Sequence, residues 1–124
     1  MSASEAWVRC RPYIEKALEY SRGTHTIEDI EDGVMDGRYQ FWAADNSAVI
    51  TEIIIYPRFK ALNGFLIAGK LDELFDVLEP AIADFAKFAG CKRIEGTGRK
   101  GWERVGSRRG YTNGSIMMYK DLSP

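Results

Sequence analysis

The sequence predicts a single α/β domain spanning residues 1–124, with a mixed central sheet and helices on both faces. Three observations predict it. The 124 residues suit one hydrophobic core. Three runs in the middle of the chain are rich in apolar residues, the second of them β-branched almost throughout, as strands covered on both faces are. A long stretch with apolar residues at three- and four-residue steps follows the third run directly, the pattern of a helix laid across a sheet.

Composition narrows the class further. Apolar residues make up 45% of the chain and charged residues 28%, a globular balance that a disordered chain lacks. The net charge of −1 gives no global field toward nucleic acid or membrane, so neither partner is expected. Two cysteines, Cys10 and Cys91, are too few for a disulfide framework; free thiols in a reducing compartment are expected, with one bridge left open. With His25 the single histidine and no Cys/His cluster, no metal site is expected. No apolar stretch reaches the roughly 20 residues of a membrane span. The N-terminal Met-Ser-Ala-Ser-Glu has no basic and apolar leader pattern, so a cytoplasmic protein is expected.

The elements follow in order. Ser4 to Tyr20 reads as a helix, with Trp7, Cys10, Ile14, Ala17 and Leu18 on one face and Pro12 as its first residue or its kink. Thr26 to Val34 reads as a short second helix, with Thr26 and Asp29 spaced as a capping box. Arg38 to Ala44, Ala48 to Tyr56 and Ala61 to Ala68 read as three strands, separated by Asp45-Asn46-Ser47 and by Pro57. Leu71 to Ala89 is the strongest helix signal, with Pro80 marking a kink or a restart and Gly90 a stop. Arg93 to Thr97 reads as a strand, Gly101 to Arg109 as a short helix and Ser115 to Lys120 as a last strand.

Two features carry a resemblance. One is the order of elements, with the long helix directly after a central apolar strand. The other is the run Cys91-Lys92-Arg93-Ile94-Glu95-Gly96-Thr97-Gly98-Arg99-Lys100-Gly101-Trp102-Glu103-Arg104, followed by Arg109-Gly110-Tyr111. Over roughly residues 26 to 121 the chain resembles the GCN5-related N-acetyltransferase (GNAT) superfamily, and within it the small GNAT-like proteins of tailed phages. The resemblance implies a GNAT-like domain that uses acetyl-CoA or another acyl-CoA, and a location in the host cytoplasm or a virion. It also implies that the loop before the long helix holds the cofactor's pyrophosphate through glycines, a cation and free helix-start amides. Here that stretch is Ile67, Ala68, Gly69 and Lys70, and Arg99 and Lys100 are further cofactor-binding candidates. The full glycine pattern is absent, and Asp72 and Glu73 stand in the first turn, where a diphosphate meets repulsion.

Acyl transfer to an amine needs a base and an acid. Glu52 on the second strand is the candidate base or a solvent-facing residue; Tyr119 on the last strand is the candidate acid, while Tyr111 is expected to pack in the core. Trp42 and Trp102 are expected in the core as well. Between Lys92 and Arg109 stand seven basic residues against Glu95 and Glu103, whereas Glu28 to Asp36 carries five acids and no base. The basic stretch is a candidate protein-binding face or a solvated one. Two functions stay open: an acyl-CoA-dependent N-acyltransferase, or a non-catalytic binding or virion-assembly accessory on the same scaffold.

Overall fold

Ser2 starts the first helix. Its hydroxyl accepts the Glu5 amide at 3.2 Å, and α1 (Ala3–Leu18) runs on through Pro12. The computed structural model describes residues 2–99 and 101–122. In α2 (Ile27–Met35) the capping box forms as the spacing predicts: the Asp29 amide donates to Thr26 Oγ1 at 3.2 Å, and the Thr26 amide donates to Asp29 Oδ2 at 2.8 Å.

Four strands follow, β1 (Tyr39–Ala44), β2 (Ser47–Ile55), β3 (Lys60–Gly69) and β4 (Cys91–Gly96), lying side by side in that order. The β1–β2 and β2–β3 pairs are antiparallel and the β3–β4 pair is parallel. A parallel neighbour requires a crossover. The long helical rod supplies it: α3 (Leu71–Glu73), a π-helical turn (Leu74–Leu78) and α4 (Glu79–Phe88). Pro80 falls in the first turn of α4. It has no N–H for the Asp76 carbonyl and its ring crowds that oxygen, so regular winding gives way just before it. The short α5 (Trp102–Arg108) comes after β4.

The sheet separates two apolar layers. Ala48 and Ile50 of β2 join Cys10, Ile14 and Ala17 of α1 and Ile30 of α2 on one face. Val49 joins Leu74, Leu78, Ile82 and Ala86 of the rod on the other. The expected covering of both faces is thus present, and Trp42 packs on the rod side. The β2–β3 register shifts between Ile50 and Thr51, leaving Phe65 as the extra residue of a bulge. Buried Thr51 is fully matched: its Oγ1 accepts from Trp42 Nε1 at 3.0 Å and donates to Gln40 Oε1 at 2.8 Å.

One expected element is corrected. Ser115 to Lys120 is not a strand; residues 111–122 have no regular secondary structure, and Ile116 and Met118 are each 89% exposed. A strand-forming sequence is held only when an adjacent edge takes its hydrogen bonds. This segment instead leaves the rod side at Tyr111 and brings Tyr119 under the Arg22 guanidinium, 5.6 Å from the ring centre. Among the described residues no helix is long and apolar enough to cross a membrane.

Candidate functional site

The parallel strands part. Their ladder runs from Lys60 and Cys91 to Gly64 and Gly96, and its last link is the Thr97 amide donating to the Gly64 carbonyl at 3.2 Å. Beyond it β3 continues to Gly69 while the other chain turns away. A cleft of about 270 Å³ opens there on the rod side, with Ile67, Leu74 and Trp102 in its walls. Three glycines border it. A Cβ at Gly98 would lie 2.9 Å from Trp102, whereas Cβ atoms at Gly64 and Gly96 would make ordinary contact with Ile67 at 3.4 and 3.5 Å. On the α1 side a second hollow of about 390 Å³, bordered by Tyr20, Arg22 and Phe65, shares Ile67, Gly98, Arg99 and Trp102 with the first.

The rod begins beside the cleft. Gly69 has φ +125°, and a Cβ there would meet Ser47 Cβ at 2.3 Å and Asn46 O at 2.4 Å, so only glycine lets the chain pass the β1–β2 turn. Glu73 is turned back onto that turn. Its carboxylate accepts the Asn46 amide at 2.8 Å and the Ser47 hydroxyl. The Ser47 bond, with help from the Asn46 amide, holds its pKa below the usual carboxylate range. The sequence places two obstructing carboxylates in the first turn; the structure commits one of them to the turn. Asp72 accepts the Glu73 amide at 2.9 Å, and the Leu74 amide reaches Lys70 O at 2.9 Å. The amides of Leu71 and Asp72 have no hydrogen-bond partner among the described residues, and Lys70 stands exposed before them. Two such amides and an ammonium suit an anion.

Other polar groups converge on the cleft. Tyr111 is half-buried, its amide donating to Gly106 O at 2.9 Å and its ring edge-on to Phe75. Burial, and then the charge of Glu79, push its hydroxyl up to about 12. Glu95 accepts from the Tyr56 hydroxyl at 2.8 Å. With Glu79, Glu95 and Glu103 against Arg99, the lining is acidic. Sequence reasoning sends Tyr111 to the core and passes over the three glutamates as site residues. For Glu79 the signal is present, since it interrupts the apolar stripe Phe75, Glu79, Ile82 on one helical face.

The predicted site residues separate into two groups. Ile67 lines the cleft; Gly69 and Lys70 do not, but they directly precede Leu71, which does. The Ala68 side chain is buried toward α1. Arg99 lines both hollows, its guanidinium 4.5 Å from the Tyr20 ring centre and 5.7 Å from that of Trp102. Lys100 lies outside the described residues. Glu52 is opposite Tyr39 and Asn63 and alternates with cleft-facing Thr51, so it lies on the other face of the sheet. Tyr119 is exposed beside Arg22. The structure therefore does not bring Glu52 or Tyr119 to the cleft: strand alternation removes the first and the unpaired tail removes the second. The basic stretch is partly matched within the chain. Arg109 pairs with Asp76 at 2.5 Å, and Arg93 lies 4.6 Å over Phe59.

No protein-family model and no curated protein matches the chain. Solved structures do. A Trypanosoma brucei acetyltransferase superposes with a TM-score of 0.68 at 9% identity, over 98% of this chain and 96% of that one. An aminoglycoside acetyltransferase from an uncultured soil metagenomic sample, in complex with sisomicin, gives 0.67 at 8% identity, over 98% and 91%. Glucosamine-6-phosphate N-acetyltransferase from Arabidopsis thaliana gives 0.52 at 20% identity over 63% of this chain, which spans 58% of that enzyme's length. Likeness at these identities establishes the fold.

Proposed function

The chain has the GNAT acetyltransferase fold, and we propose that it binds acyl-CoA, with acetyl-CoA the donor to test first, where β3 and β4 part, and transfers the acyl group to an amine. The parting of the strands beside the start of the rod is the observation that carries this reading. The residues fit the ligand. Beyond Gly64, the backbone of β3 through Ile67 and Ala68 offers an open edge to an extended amide-bearing arm. Gly69, Lys70 and the amides of Leu71 and Asp72 suit phosphate oxygens, and Arg99 adds a second cation. Acyl-CoA supplies an activated acyl thioester. Glu95 takes the proton of the acceptor amine. Tyr111, at about 12, holds its proton far more tightly than a thiol of pKa about 8.5. It therefore donates a hydrogen bond to the departing sulfur and keeps its proton. The acidic lining favours a cationic amine as acceptor.

The test is thermal. About 1 mM acetyl-CoA raises the melting temperature by several degrees if it binds the folded chain; no shift overturns the reading. Tyr111→Phe keeps that shift and lowers thiol release from acetyl-CoA by about tenfold or more.

A second reading has its own support: Asp72 takes a first-turn amide, and Glu52 and Tyr119 lie off the cleft. It is a non-catalytic accessory protein of a tailed phage, acting in the host cytoplasm or the virion through a protein partner on the 92–109 segment. Acetyl-CoA binding with no thiol released from it in the presence of a panel of amines selects it.

A further inference from the structure

We infer that the chain associates with copies of itself, the exposed face of α5 in one copy seating against the exposed face of α2 in the next. Arg104 and Arg108 stand one turn apart on α5, and Glu28 and Asp32 stand one turn apart on α2. All four are exposed, and none forms an ion pair among the described residues.

Their neighbours are already matched within the chain. Asp36 pairs with Arg38 at 2.8 Å, and Glu31 accepts from Trp7 Nε1 at 3.0 Å and lies 3.7 Å from Arg11. Asp29 is taken by the capping box, and Arg109 by Asp76. Single exposed charges such as Lys16, Arg58 and Asp84 also stand without an ion pair among the described residues, but these two are doublets on one helix face each, and they are opposite in sign. Like charges four residues apart repel on a helix, and that repulsion is relieved when an opposite doublet of the same spacing arrives. Both doublets have the rise of one helical turn, about 5.4 Å, so they match charge for charge.

Geometry excludes pairing within one copy. α2 packs on β1 and α5 follows β4, and these strands form the two ends of the sheet. The contact is therefore head-to-tail and makes a row or a ring. A net charge of −1 leaves no global repulsion against it. The four residues lie outside the cleft, so the contact stands or falls apart from acyl-CoA binding.

Sedimentation velocity on the full chain tests it. Self-association is expected at about 20 mM salt and is weakened at least about tenfold at about 0.5 M, where screening lengths fall to a few ångström. Arg104→Glu with Arg108→Glu abolishes it, and so does Glu28→Lys with Asp32→Lys. Mixing the two charge-reversed proteins restores it, because each then carries complements to the other. Circular dichroism melts establish that both variants fold; if either does not, the single changes Arg108→Glu and Asp32→Lys replace the pairs. A monomer at low salt, association indifferent to salt or to charge reversal, or a mixture that stays monomeric overturns the inference.

Discussion

At Gly69 the backbone turns from strand to helix at φ +125° against the β1–β2 turn. Gly69→Ala drives a Cβ into Ser47 and the Asn46 carbonyl, so it should cost more than about 3 kcal/mol, read as a fall in the urea midpoint. Glu73 makes the complementary contact from the helix side. Its carboxyl titrates lower in the folded chain than in the unfolded one. The stability it contributes is present above the unfolded value of about 4.3 and is lost as pH falls through the folded value. Glu73→Gln should therefore destabilise by about 1 kcal/mol at pH 7, a charged hydrogen bond at a part-buried surface position being partly screened. The difference should narrow as melts are taken to acid pH, below the unfolded value. The spacing of residues in the sequence shows an acid at a helix start; it does not show that the acid reaches back to a turn 27 residues earlier.

Elements were legible where two independent signals agreed. The capping residues Thr26 and Asp29 precede a stripe of Ile27, Ile30 and Val34, and α2 forms as the pattern requires. Thr26→Ala should cost about 1 kcal/mol in chemical denaturation. The three central strands combine β-branched composition with turn residues, and they form. Ser115 to Lys120 offers composition alone, and it stays unpaired. Pro80 announces an irregularity without saying which. The π-helical turn at Leu74–Leu78 is one solution to its missing N–H, chosen by how the rod must present Leu74 and Leu78 to Val49 and Leu62.

For the whole molecule, the layers follow from apolar periodicity, but the cleft does not. It exists because two strands that pair over five residues then separate, and separation leaves no mark in composition or spacing. Ile67, Lys70 and Arg99 were reachable from the resemblance because they flank the start of the rod and the end of β4. Tyr111 and Glu95 acquire their place only once α5 and β4 are packed. Trp102 borders both hollows, one on each side of the sheet. Its indole is thus a bulkhead, and the chambers it divides are vestibules opening on opposite faces of the same wall. Trp102→Ala should join them into one corridor. Thermal melts with acetyl-CoA read the change: the rise in melting temperature that the ligand produces is smaller in the variant, whose cleft has lost that wall.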